Sequence, residues 1–89
     1  MKSNMKRIQC PCCQYFTIES DDEVIVDICD VCFWQFDYTA HLKPDEESGA
    51  NKISLNQAIE NYKKFGVSKL QRKHLVRAPL QEELPENNL

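Results

Sequence analysis

Apolar positions follow two rhythms along this chain. In the first third they gather in short β-branched and aromatic runs. Tyr15-Phe16-Thr17-Ile18 reads as one strand and Glu23-Val24-Ile25-Val26-Asp27-Ile28 as its return, with polar Glu19 to Asp22 turning between them. Arg7 to Gln9 is a further short strand, preceded by a flexible lead-in over 1–6. Phe33-Trp34-Gln35-Phe36 is either a third strand or an aromatic flap. Beyond Asn51 the rhythm becomes helical: Leu55, Ala58, Ile59, Tyr62 and Phe65 form one stripe at the α-helical period. Ser54 with Gln57 makes a capping box at its start, and Gly66 supplies a left-handed residue at its end. Ser68 with Gln71 makes a second box, so a shorter helix is expected from Lys69 to Leu75. Asp37 to Asn51 carries a proline, a glycine and the acidic run Asp45-Glu46-Glu47, and reads as a loop. Pro79 and Pro85 end regular structure, which leaves 85–89 as a disordered tail.

The 89 residues suffice for one domain, here 1–84, and not for two. A core this small gives thin stability, so a staple is expected: disulfides, a metal or a partner subunit. The polar, basic start has no apolar h-region after it, and runs such as EVIVDIC are too short to cross a bilayer. A soluble, cytoplasmic protein with no membrane role is the resulting expectation. In a reducing compartment, paired cysteines hold metal or do redox work more often than they form disulfides. The odd count of 5 cysteines fits that preference. Net charge is −3, and four thiolates on one divalent ion would take it to about −5. Such an acidic chain is a poor footprint for nucleic acid.

The cysteines carry the candidate chemistry. Cys10 and Cys13 form one C-x₂-C pair and Cys29 and Cys32 a second, with Gln14 to Ile28 between them. That spacing suits a four-thiolate zinc site: a two-residue gap lets a tight turn aim both sulfurs at one ion, and backbone N–H groups in the turn can donate to the thiolates. Cys12 is the surplus thiol, read as a small side chain packed beside the site, with a redox role or a ligand exchange as alternatives. CPCC also has the form of a C-P-x-C redox pair, but that chemistry needs a helix beginning at the pair, and strand-like residues follow here. Iron in place of zinc would give a rubredoxin-like electron carrier, because four thiolates suit both metals. Disulfides in a secreted domain are the remaining alternative.

CPCC at Cys10 to Cys13, ICDVCFW at Ile28 to Trp34, GAN at Gly49 to Asn51, SLNQAIENYKKFG at Ser54 to Gly66 and VRAPLQEE at Val76 to Glu83 follow one another in order. In this the chain resembles the bacterial cysteine-rich CPCC family. The resemblance implies a small standalone zinc-binding domain with no established activity. It carries the ligands onto Cys10, Cys13, Cys29 and Cys32, and recurrent Trp and Asn positions onto Trp34, Asn51 and Asn61. The chain departs from the family in having Gln14 where glycine is usual after CPCC, and Gln35 and Phe36 where acids are usual after the FW pair.

The remaining candidates read as structural. His41 and His74 are surface or packing residues, since four cysteines close a zinc sphere and leave no position for water or substrate. Phe33 and Trp34 are expected to cover the cysteine turns. Asn51 would cap the loop before the helix, and Asn61 would reach back to tie that loop down. Lys63, Lys64, Lys69, Arg72, Lys73 and Arg77 make a basic stretch, read as a solvated face, with a patch for phosphate or an acidic partner as the alternative. The expected fold is small α+β, a zinc-ribbon-like β-hairpin with two C-terminal helices packed against it. The expected role is that of a non-enzymatic protein with one structural zinc ion, acting by binding a protein partner as an immunity or adaptor protein would. The acidic loop from Asp37 to Glu47 is the expected docking surface. The alternatives are a nucleic-acid-binding zinc ribbon and an iron electron carrier.

Overall fold

The computed structural model describes residues 6–20 and 27–88. Strands β1 (Lys6–Ile8) and β2 (Ile18–Ser20) pair antiparallel, with Arg7 opposite Glu19 and Ile8 opposite Ile18. The chain between them is the first cysteine turn. This relocates the hairpin: the pairing expected between Tyr15–Ile18 and Glu23–Ile28 is replaced, among the described residues, by β1 with β2. Tyr15 to Thr17 cannot join a ladder because their backbone groups are already engaged. The Tyr15 carbonyl accepts from Cys10 N–H (2.8 Å) and Thr17 N–H (3.0 Å), and Phe16 N–H donates to the Glu83 carbonyl (2.8 Å). Residues 23–26 of the expected return strand lie outside the described residues. Ile28 forms one antiparallel bridge with Gln35, so the aromatic run after the second cysteine turn starts as a minimal strand.

The segment read as a loop contains a short helix, α1 (Tyr38–Leu42). Asp37 caps it, its Oδ1 accepting from Thr39 N–H (3.0 Å) and Ala40 N–H (3.4 Å), while its Oδ2 accepts from the Ser48 hydroxyl (2.7 Å). One carboxylate thereby starts the helix and pins the far side of the loop. Helix α2 (Leu55–Phe65) matches the helical stripe. Ser54 Oγ accepts from Gln57 N–H (3.1 Å), but the Gln57 amide turns to Asn61 (3.0 Å), so the expected box closes on one side only. Gly66, at φ 77°, ends α2 with its N–H on the Tyr62 carbonyl. Leu55 and Ala58 are buried and Ile59 and Tyr62 pack against the core, whereas Phe65 is 40% exposed. At 3.6 residues per turn, a residue ten positions on has rotated about 80° from Leu55, off the buried stripe.

The expected second helix is a 3₁₀ helix, Leu70–Leu75, with no side-chain cap. Ser68 does not cap it because Ser68 is buried and its N–H donates to the Cys32 carbonyl (2.7 Å). Two further 3₁₀ turns follow, Gln81–Glu83 and Pro85–Asn87. The second falls where a disordered tail was expected. Pro85 sits at its start, where a missing N–H costs nothing, and the Asn87 and Asn88 amides donate to the carbonyls of Gln81 (2.7 Å) and Leu84 (2.8 Å).

The core is built around the thiols. Trp34, Ile18, Val31, Ala40, Leu55, Ala58 and all five cysteines form one buried cluster. The architecture is small α+β and zinc-ribbon-like, with α2 and the 3₁₀ helix after it against the cysteine turns. Among the described residues no helix is long and apolar enough to cross a membrane.

Candidate metal centre

Each cysteine pair sits in the same tight turn. In the first, Gln14 N–H donates to the Cys10 carbonyl (2.8 Å) and Cys10 N–H to the Tyr15 carbonyl (2.8 Å). In the second, Phe33 N–H donates to the Cys29 carbonyl (2.7 Å) and Cys29 N–H to the Trp34 carbonyl (2.9 Å). Closing the turn puts the residue after the second cysteine into the left-handed region: φ is 74° at Gln14 and 67° at Phe33. Glycine reaches that region most cheaply, and neither turn uses it.

The two turns face each other. The sulfurs of Cys10, Cys13, Cys29 and Cys32 all lie within 4.8 Å of one another, and all four residues are buried. Cys10 and Cys32 Sγ are 3.6 Å apart, as are Cys13 and Cys29 Sγ. That is far beyond a disulfide bond of about 2.05 Å. The four expected cysteines are therefore brought together in a group that could hold a metal ion. Polar donors reach the same cluster: the Thr17 hydroxyl donates to Cys29 Sγ (2.8 Å) and Val31 N–H reaches it at 3.4 Å. Neither the threonine nor its distance to the sulfur is legible from cysteine spacing.

Four packed thiols cannot titrate independently. Hydrogen bonds led by that from Cys10, with Thr17 adding to them, pull the Cys29 thiol well below its ordinary range. The Cys32 thiol is pushed up, first by its hydrogen bond with Cys10 and also by burial. Cys29 is also the sulfur on which the Thr17 hydroxyl and the Val31 N–H converge.

Cys12 is buried at 3% exposure and takes the position that Val31 takes in the second turn. It stands in the core cluster as a small apolar filler would. Trp34 is fully buried, as expected, but its indole N–H has no hydrogen-bond partner among the described residues. Phe33 is different: partly buried and outside the core cluster, it lies under the Arg72 guanidinium at 5.8 Å. His41 and His74 are exposed, and His41 stacks on Phe36.

Three ties from the C-terminal half hold the second turn, and single-sequence patterns missed them. Asn51 is a side-chain strand: its Oδ1 accepts from Gln35 N–H (2.8 Å) and its Nδ2 donates to the Gln35 carbonyl (2.9 Å). It does more than cap a loop. Asn61, expected to reach back, reaches forward to the Ser68 carbonyl (2.8 Å), steadying the residue whose N–H meets Cys32. Arg77, counted with the solvated basic face, donates its N–H to the Asp30 carbonyl (3.1 Å) and forks onto buried Glu83 at 2.9 and 2.8 Å. That fork is the main cause holding the Glu83 carboxyl below its usual range, with Leu80 N–H adding to it.

The family model for cysteine-rich CPCC proteins matches residues 8–83, which takes in both turns, α2 and the Arg77–Glu83 pair. Comparison with curated proteins and with solved structures gave no match. Two cysteine turns with their sulfurs at one point, embedded in a span that matches end to end, place this chain in the cysteine-rich CPCC family.

Proposed function

We propose that Cys10, Cys13, Cys29 and Cys32 hold one zinc ion as the structural centre of a protein that works by binding another protein. The observation that carries the metal is the spacing of the sulfurs. A tetrahedral ion at about 2.3 Å from each thiolate sets its ligands about 3.8 Å apart; the Cys10–Cys32 and Cys13–Cys29 pairs stand at 3.6 Å, and all four sulfurs lie within 4.8 Å of one another. The donor set fits as well: four soft sulfurs, all buried, with Thr17 and Val31 supplying hydrogen bonds to Cys29. When bound, the ion would cross-link the two turns, and the ring of donors around Cys29 would steady its negative sulfur.

Four cysteine ligands fill a tetrahedral sphere, which favours a folding role over turnover. A domain without an open metal position, with a small core and an acidic net charge of −3, is suited to recognition. Elemental analysis of the purified protein should give about one zinc per chain. Iron with strong visible absorption would replace this reading with electron transfer. Metal-free protein with oxidised thiols would remove the site.

A further inference from the structure

We infer that the cleft between the second cysteine turn and the 3₁₀ helix Leu70–Leu75 is a docking site for a side-chain carboxylate on an extended segment of a partner protein. The inference rests on the reading that the protein works by binding, and names where and with what chemistry.

Phe33 is the starting point. The turn needs a left-handed residue there, which costs about 1–2 kcal/mol for a residue with a Cβ. Glycine would avoid that cost, so a phenylalanine must bring something in return. It brings no core packing, because Phe33 stands outside the buried cluster. Its ring instead lines a cleft of about 70 Å³ together with Ile28, Gln35, Asn51, Lys69 and Arg72. Arg72 lies over the ring at 5.8 Å, and Lys69 Nζ donates to the Asn51 carbonyl (3.0 Å), which fixes the ammonium at the rim.

Charge selects the ligand. Among the described residues neither Lys69 nor Arg72 pairs with a carboxylate, although the chain has 14 acidic against 11 basic side chains. A guanidinium over an aromatic ring still has N–H donors for two-point binding of a carboxylate. The cleft is a small open one, wide enough for such a group. Two cations also make no track for a polyanion, and the net charge repels one. Ile28, 39% exposed at the rim, gives an apolar neighbour of the carboxylate something to rest on. The acidic loop is the weaker surface, because Asp37 and Asp45 already serve internal hydrogen bonds to α1, Ser48 and Asn56.

The test is a titration of the ¹⁵N-labelled, metal-loaded protein with a blocked hexapeptide carrying two glutamates beside one leucine, against the same peptide with glutamines. The glutamate peptide should shift the amides of Phe33, Gln35 and Arg72, and bind about tenfold more tightly than the glutamine peptide. Arg72→Gln should remove most of that preference with metal content and fold retained, whereas Lys69→Gln should remove it and also lower the melting temperature, because it gives up the bond to the Asn51 carbonyl. Equal binding of both peptides, or no shift around the cleft, overturns the inference. So does tighter, salt-sensitive binding of a single-stranded oligonucleotide at these residues, or self-association abolished by Arg72→Gln. If a partner identified from the native host binds wild type and Arg72→Gln equally, the cleft fails and the binding reading stands. If that host yields no partner while the peptide still discriminates, the binding reading is what fails.

Discussion

The two cysteine turns share their local hydrogen bonds and differ in what supports them. The first is held from its flanks, where β1 and β2 run on as a paired ladder and Ile18 is fully buried. Among the described residues the second has a single bridge, Ile28 with Gln35, and borrows the rest from afar: Asn51 for Gln35, Ser68 for Cys32, Arg77 for Asp30. The same turn can thus be specified by a few adjacent residues and stabilised in two unrelated ways. One way is nearly local, and the other makes the cysteine cluster answerable to the C-terminal half of the chain.

The largest expected effect ignores that difference. Cys29→Ser should lose bound metal and the cooperative melt together, since metal affinity in such domains, about 10–16 kcal/mol, is folding free energy. Metal analysis and circular dichroism on one sample would check it; a folded, metal-loaded variant would mean that the ligands are misassigned.

The next effect separates the turns. Asn51→Ala leaves the Gln35 N–H and carbonyl without their partners and should cost about 2–4 kcal/mol. Hydrogen exchange should quicken at Gln35 and Phe33 while the amides of Cys10 and Gln14 stay protected. Equal loss of protection in both turns would show that they are one cooperative unit.

Glu83→Gln comes third, at about 1–3 kcal/mol near neutral pH. The Glu83 carboxyl lies below its ordinary 4.5 in the folded protein, so its contribution is full above that value and is lost as pH falls through the lower, folded one. The gap in melting temperature between wild type and variant should therefore narrow on acidification. Taking the difference cancels thiolate protonation, which is common to both proteins. A gap constant with pH would mean that the Arg77 fork contributes nothing.

The smallest effects test the turns residue by residue. Gln14→Gly should raise stability by up to about 1 kcal/mol by relieving the left-handed strain. Cys12→Val, which copies Val31 into the first turn, should cost less than about 1.5 kcal/mol and keep the metal. A large loss of metal in Cys12→Val would make Cys12 more than a filler.

What was legible in the sequence was local. The C-x₂-C pairs define turns within a few residues, and Ser54 and Gly66 bracket α2 with their own hydrogen bonds. What was hidden depends on partners far along the chain. No neighbour of Asn51 announces that its amide will pair with Gln35, and Arg77 looks like any other cation until Glu83 folds beneath it. Helix α1 is hidden for a different reason: Asp37 is a good cap, but the proline and the run of acids close behind it give five helical residues the pattern of a loop. The strand at Tyr15 failed because β-branched and aromatic content says nothing about carbonyls already claimed by a turn.

The Arg77–Glu83 segment also has a meaning in time. It touches both sides of the site, through Asp30 on one turn and Phe16 beside the other. All four sulfurs leave the ribosome well before it does, so for a while they are gathered only by their own turns, open to oxidants and to competing ions. Closure of the last segment ends that interval. With an ion held between the turns, its release to a chelator would require them to separate, and the two ties of this segment would oppose that separation.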